Sequence, residues 1–309
     1  MQKMKQRKFM FDTFRNRLEI TGTLTTVTAL RISKGRSTEP IGSDLPVIKD
    51  ALGRPLVPGS SFKGALRSRL ESFLRGIDPN LAANPPIEAE WSITNERLNG
   101  SNGIKKEVEE ELKQYPEKER SARRDSLLTE KIINETDIAS LLFGSPWIAS
   151  KFQVRDLTVQ PDAWFGQYQE RDGVAIDRDT ETAADGKLYD YQVVPAATPF
   201  DFKAVVENAH DWELGLLMIG LHQFETEQIP LGGGRSRGLG VVKLEIDKMR
   251  WIDVEDHPEF LLEYLKKLVM GDETAYEDAA DYKDEWVQKL IDRLTRKETK
   301  LSESQTQAQ

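Results

Sequence analysis

From Arg17 to about Ser33 apolar and polar residues alternate, with Leu, Ile, Val and Thr dominating, which predicts a long strand in two segments about a bend. Pro58 and Gly59 break the next extended run. Phe62, Ala65, Leu66, Leu70, Phe73 and Leu74 then recur at helical spacing, predicting a first helix that continues to Arg75. Ile138 to Trp147 reads as a short helix ended by glycine and proline, and Phe152 to Val159 alternates as a second strand. Phe200 to Val206 predicts a third strand, and Asp211 to Glu227 a second amphipathic helix through Trp212, Leu216, Ile219 and Phe224. Leu239 to Ile246 predicts a fourth strand.

The order β-α-β-β-α-β is an α+β, ferredoxin-like or RRM-like plan with large insertions. One insertion spans residues 76–137, where Lys105 to Arg124 is rich in Lys, Arg and Glu with weak apolar periodicity. Solvated helix or partial disorder is expected there. The other, residues 162–190, carries Trp164, Phe165 and Tyr168 but little continuous apolar sequence, as expected of a projecting hairpin or a flexible surface loop. Two further helices are predicted at Pro258 to Met270 and Tyr276 to Arg296, packing on their own domain or on a neighbouring subunit. A polar tail from Ser302 is expected to be disordered. The division that follows is a domain over residues 11–250 and an acidic helical extension over 251–309.

Composition narrows the class. The 309 residues, 38% apolar and 31% charged, suit one large domain with insertions. With no cysteine, disulfides, thiolate catalysis and cysteine-ligated zinc are excluded, and a reducing compartment fits. The start Met1-Gln-Lys-Met-Lys-Gln-Arg-Lys is basic but no apolar core follows, so neither signal peptide nor membrane span is expected, and the location expected is cytoplasmic. A net charge of −9 argues against a nucleic-acid partner until its distribution is read. Residues 251–309 hold 8 Lys/Arg against 15 Asp/Glu, whereas residues 31–75 hold 9 Lys/Arg against 4. A local basic face on a near-neutral body is compatible with RNA, and equally with an ordinary solvated face.

Three stretches carry candidate chemistry. At the start of the first helix, Ser60 or Ser61 can cap free N–H groups, and Lys63 and Arg67 lie one turn apart. Together with the helix dipole these make a phosphate site, though an ordinary capped surface helix has the same pattern. The loop Leu231-Gly-Gly-Gly-Arg-Ser-Arg-Gly-Leu-Gly240 lacks the P-loop Gly-Lys-Ser/Thr and follows a helix, which argues against ATP or NAD. Its Gly233 and Gly234 allow close approach of an anion to the backbone, with Arg235 and Arg237 adding charge; a glycine-rich strand entry is the plainer alternative. Asp44 follows Gly42-Ser43, where an aspartate also serves simply to form a turn.

The sequence Asp44-Leu-Pro-Val-Ile-Lys-Asp, followed by Pro-Leu-Val-Pro-Gly-Ser-Ser-Phe-Lys-Gly-Ala-Leu-Arg-Ser, closely resembles the RAMP superfamily of CRISPR-associated proteins. It looks most like the repeated backbone subunit of type III effector complexes. Ala175 to Ala183, Tyr191 to Phe202 and the glycine loop agree in family order, so the resemblance covers about residues 17–250. It leaves the charged insert and the C-terminal extension unexplained. It implies RNA contacts at Ser60, Ser61, Lys63, Arg67, Gly233, Gly234, Arg235 and Arg237, with the glycine loop beside Lys63 and Arg67. It further implies a thumb at 162–190 that wedges into a guide–target duplex near Ile176 and Arg178, and cutting of target RNA at Asp44. Unstacking one nucleotide costs a few kcal/mol, so an apolar wedge backed by cations makes physical sense.

An aspartate with a pKa near about 4 is a poor base at neutral pH, so Asp44 is expected to bind Mg²⁺ or another divalent cation or to align a ribose 2′-hydroxyl. Many family members carry a histidine where this chain has Arg31, which can hold phosphate but cannot shuttle a proton. His210, His222 and His257 lie outside the motif loops, against a histidine-dependent guide-processing nuclease. The partners implied are guide RNA, target RNA and other effector subunits, including similar backbone subunits, with no membrane. Two alternatives remain at this point: a backbone subunit that binds RNA without cutting, and an unrelated ferredoxin-like enzyme for a small phosphorylated substrate.

Overall fold

A computed structural model describes residues 11–33, 35, 45–176, 178–179, 181, 183–254 and 257–306. Its strands are β1 (Asn16–Thr26), β2 (Leu56–Val57), β3 (Phe152–Val154), β4 (Leu157–Thr158), β5 (Gln169–Ile176), β6 (Ala183–Val193), β7 (Pro199–Glu207), β8 (Val242–Asp253) and β9 (Glu277–Asp278). Its α-helices are α1 (Gly59–Ile77), α2 (Asn95–Asn99), α3 (Ile104–Leu112), α4 (Glu117–Glu135), α5 (Ile138–Phe143), α6 (Asp211–Glu225), α7 (Pro258–Val269) and α8 (Lys283–Thr306). Among the described residues no helix is long and apolar enough to cross a membrane.

The main sheet has the order β3-β7-β1-β8-β9, and every pairing in it is antiparallel. Its first four strands have the connectivity of the ferredoxin-like plan, with α1 and α6 as the two helices. Strand β1 alternates without a break: Leu18, Ile20 and Leu24 are fully buried, while Arg17, Glu19, Thr21, Thr23 and Thr25 face the other way. At Gly22 the register against β8 shifts, and a Cβ there would come within 2.3 Å of Glu245 O; the residue must be glycine for the bulge to close. β1 stops at Thr26 and the chain resumes pairing only as isolated bridges at Leu30 and Ser33, so the long alternating run does divide at a bend.

Helix α1 lies on the buried face through Phe62, Leu66, Leu70 and Leu74. Phe62 packs against Phe202 of β7 and Phe224 of α6, with ring centroids 5.0 and 4.3 Å apart. α6 approaches α1 closely at Gly220, where a Cβ would sit 2.5 Å from Leu66 Cδ1. A salt bridge completes this layer: Lys151 Nζ reaches both oxygens of Glu213 at 2.7 and 2.6 Å, and both residues are buried.

One expectation is corrected, that of the disordered tail, and two open alternatives are resolved. In the insert, of the two alternatives solvated helix and partial disorder, the structure has helix, largely exposed, with Ile93, Leu98, Ile104, Val108, Leu112 and Ile132 forming a second small core beneath α3 and α4. α3 supplies one buried apolar residue per turn, Ile104, Val108 and Leu112, and α4 only Ile132, so the core leaves little periodicity in the sequence of α4. The tail expected from Ser302 is helical through Thr306. The C-terminal extension packs on its own domain: Trp286, Leu290 and Leu294 of α8 belong to the main core, and β9 adds an edge strand beside β8. At Gly215 of α6 a Cβ would stand 2.1 Å from Trp286 O, so the two helix backbones are nearly in contact.

Candidate nucleic-acid interface

In an RRM-like domain the open face of the sheet offers aromatic rings to bases. Here β1 turns Arg17, Glu19, Thr21, Thr23 and Thr25 outward, and the outward residues of β7 are Asp201, Lys203, Val205 and Glu207. Glu19 is bound by Arg17, Arg250 and the Tyr276 hydroxyl, which lie on β1, β8 and the C-terminal extension. This face is a charged ladder partly closed by the chain itself, and nucleic-acid recognition must be sought at the loops.

The start of α1 differs from the expected capping. Pro58 occupies the cap position with no side-chain bond, and the Gly59 N–H donates to the Asp156 carboxylate at 2.8 Å. Gly59 itself has no room for a side chain, a Cβ meeting Val154 O at 2.5 Å. Ser60 and Ser61 are thereby freed from capping and line a groove of about 530 Å³ with Gly64, Ser68, Arg69 and Arg235. Small and hydroxyl residues at 60, 61, 64, 65, 68 and 72 keep this face of the helix low, letting the glycine loop approach. The Arg69 guanidinium lies 4.8 Å from the Phe73 ring, and among the described residues its Nε has no hydrogen-bond partner.

Lys63 and Arg67 do not join this groove. A helix places them on its other flank, where Lys63 Nζ bonds Ser150 Oγ at 2.6 Å and Phe152 O at 3.2 Å. Arg67 bonds Glu71 at 2.6 Å and Gly144 O at 2.9 Å. Burial, aided by the neighbouring Arg67 charge, pushes the Lys63 ammonium down to about 8. The expected juxtaposition of Lys63 and Arg67 with the glycine loop is therefore corrected: both sit across the helix from Arg235.

The glycine loop faces two ways. Gly234 and Gly238 are left-handed and bracket a single turn containing Arg235 and Arg237. Gly233 donates its N–H to Arg31 O at 2.9 Å, which ties the loop to the continuation of β1. Arg235 lines the α1 groove, whereas Arg237 Nη1 donates to Tyr189 Oη at 2.9 Å on β6. That bond, with the charges of Arg237 and Arg31 nearby, holds the Tyr189 phenol below its ordinary value. Arg31 lies 4.7 Å above the Tyr191 ring, and its Nε likewise has no partner among the described residues. Arg31, Arg237, Tyr189 and Tyr191 thus form one cationic and aromatic cluster.

That cluster sits at the root of the β5–β6 hairpin, which spans Gln169 to Val193. Ile176 pairs with Ala183 near its tip, and Arg178 is exposed in the turn. Asp44 lies outside the described residues. The residue after it does not: Leu45 bridges Tyr191 in parallel, and Leu45 O accepts the Gln192 N–H at 3.2 Å. Farther along the same loop, Tyr168 donates its hydroxyl to Gly53 O at 2.6 Å and Lys49 lies over the Tyr168 ring. Asp50, the other acid of this stretch, is committed to its own turn, accepting from the Leu52 and Arg54 N–H groups and the Arg54 guanidinium. These bonds, led by the Arg54 N–H, hold its carboxyl below the usual range.

Sequence reasoning missed Arg69, Tyr189 and Tyr191. The recurring small residues on α1 are the signal that would have found the first, since they mark which flank of the helix a neighbour approaches. The two tyrosines carry no local signal: their partners lie at Arg31 and Arg237, distant in the chain.

The family model described as RAMP superfamily matches residues 23–243. A protein of Enterococcus italicus named CRISPR system Cms endoribonuclease Csm3 is 25% identical over 236 residues, covering 76% of this chain and 92% of that protein. Proteins of the same name match locally: one from Mycobacterium tuberculosis at 48% over 74 residues (23% of this chain, 31% of that protein), and one from Methanocaldococcus jannaschii at 42% over 60 residues (19% and 24%).

Proposed function

The chain belongs to the RAMP superfamily, and on that premise we propose that it is a repeated backbone subunit of a type III CRISPR ribonucleoprotein that binds guide RNA and cuts the bound target RNA at Asp44. The relatives' printed names, which specify an endoribonuclease of a CRISPR system, support this reading. The observation that carries it is the bridge from Leu45 to Tyr191, which fixes the chain leaving Asp44 to the root of the hairpin. In this reading the wedge and the acid act on the same stretch of RNA.

In this reading the guide backbone runs along the groove of Ser60, Ser61, Arg69 and Arg235. The hairpin, with Ile176 and Arg178 toward its end, displaces one target nucleotide. Freed from the stack, its ribose 2′-oxygen attacks the adjacent phosphorus, the bond to the 5′-oxygen breaks, and a 2′,3′-cyclic phosphate and a 5′-hydroxyl result. Asp44 orients the 2′-hydroxyl, whose proton passes to solvent while the leaving oxygen takes one from it. Arg31 and Arg237 offset the charge that develops on the phosphate. Mg²⁺ or another divalent cation belongs to the proposal as cofactor. Among the described residues no three His, Asp or Glu are grouped to hold a metal, so no step above runs through it.

Charge reversal of the groove tests the binding half. With Arg69→Glu and Arg235→Glu, RNA retained on purification is expected to fall sharply, and the slope of log affinity against log salt to shrink by about 1 per lost phosphate contact. Unchanged retention and slope in both variants would contradict it.

A further inference from the structure

Helix α7 is amphipathic, yet little of its apolar face is covered. Leu261, Leu262, Leu265, Leu268 and Val269 fall on one side of it, and Glu259, Glu263 and Lys266 on the other. Among the described residues of the helix only Tyr264 is buried. Leu262, Leu265 and Val269, which follow one another at helical spacing, are 68%, 45% and 85% exposed. Leu268 and Met270 extend the same exposed patch, and a contiguous apolar patch of this kind marks a contact surface.

The rim of the patch constrains what covers it. Residues 251–282, which carry α7 and its flanks, hold 10 Asp/Glu against 2 Lys/Arg, and of those two cations Lys267 is paired with Glu263 at 2.9 Å. Helices that lie on a lipid surface have a basic polar face, and RNA phosphate is repelled by carboxylates. The same face of a second copy would bring two acidic rims together. The occupant that fits is apolar and cationic.

The chain itself carries such a segment beside the patch. Residues 1–10 contain Lys3, Lys5, Arg7 and Lys8, no acid, and the apolar side chains of Met1, Met4, Phe9 and Met10. They lie outside the described residues. Just after them the chain already meets α7: the Phe14 ring stacks on Tyr264 with centroids 5.6 Å apart, and Arg15 O accepts the Val254 N–H at 2.8 Å. Ten extended residues ahead of Phe11 reach about 33 Å, whereas the 12 residues of α7 span only about 18 Å. Every turn of the helix is within reach. Unbranched methionines, moreover, adapt to an irregular apolar surface.

We propose that residues 1–10 dock on the apolar face of α7 of their own chain, with Met and Phe side chains against Leu262, Leu265 and Val269 and the four cations toward the acidic rim. The start of the chain thereby fastens the C-terminal extension to β1, the strand it leads into. This contact is independent of the RNA-binding reading.

Hydrogen exchange tests it by comparing the full chain with one that begins at Phe11. Amides from Leu262 to Val269 are expected to exchange about tenfold faster or more in the shortened chain, with those of α1 unchanged and with the protection in the full chain unaffected by dilution. Should the shortened chain fail to fold, the full chain carrying Lys3→Glu, Lys5→Glu, Arg7→Glu and Lys8→Glu decides, since it turns the segment against the acidic rim and is expected to show the same quickening. Equal exchange in native and altered chains overturns the inference. So does quickening shared equally by α1, which reports a general loss of stability. Protection of α7 that falls on dilution overturns it in favour of the same segment of a second copy. Each of these results leaves the functional reading in place, because RNA binding and cutting are measured separately.

Discussion

Arg237 Nη1 and Tyr189 Oη are 2.9 Å apart, and this single bond joins the glycine loop to the root of the hairpin. The Tyr189 ring also lies against Gly173 across the hairpin, where a Cβ would stand 2.3 Å from the ring. Tyr189→Phe keeps that packing and removes the acceptor. Hydrogen exchange at the amides of Gln169 to Gly173 is expected to quicken while the melting temperature stays unchanged. Equal exchange in the two proteins would mean that the bond does not restrain the hairpin.

Two adjacent glycines should behave differently. Gly232 is left-handed, at φ +72, and a Cβ would meet Arg31 O at 2.1 Å, whereas nothing lies within 4 Å of a Cβ on Gly233. Gly232→Ala is expected to cost about 2 kcal/mol or more, and Gly233→Ala no more than about 0.5 kcal/mol, by urea denaturation.

The buried pair of Lys151 and Glu213 sets a pH-dependent prediction. Burial pushes the Glu213 carboxyl up, while Lys151 and the His210 N–H hold it down. Lys151→Met leaves a buried carboxylate without its cation and is expected to cost about 3–5 kcal/mol at neutral pH. With its pKa raised further, Glu213 in the folded variant takes up a proton that the unfolded chain does not. The variant's deficit therefore shrinks as pH falls from 7 toward the ordinary carboxylate range. Denaturation at pH 7 and pH 5 measures this; a deficit independent of pH would contradict it.

Trp286 is 3% exposed and packs edge-on to Trp251 at 5.4 Å. Trp286→Ala is expected to cost about 3–5 kcal/mol. A chain ended after Tyr282 is expected not to fold, and a truncated chain that melts like the native one would make residues 283–309 a separable unit.

The strands and helices of the βαββαβ core were legible because each carries its own period: two along β1 and β7, helical along α1. The flank on which Lys63 and Arg67 lie was not, since the motif records their spacing but not which neighbours cover each side of the helix. Gly220 and Leu66 decide that, by setting α6 against α1. The order within the insert was illegible for a related reason: Ile104, Val108 and Ile132 close a core only when α3 and α4 face each other. Arg235 and Arg237 are two residues apart and read as one cationic loop, yet Gly234 and Gly238 turn them to different partners.

Cutting by the assembled complex is the most direct test of Asp44. A guide-complementary RNA is incubated with Mg²⁺ and complexes carrying native protein or Asp44→Ala, with target binding measured alongside. Loss of the cuts at this subunit's position with binding intact is the predicted result. Unchanged cutting would contradict a catalytic Asp44, leaving a backbone subunit that binds RNA through Arg69 and Arg235 without cleaving it.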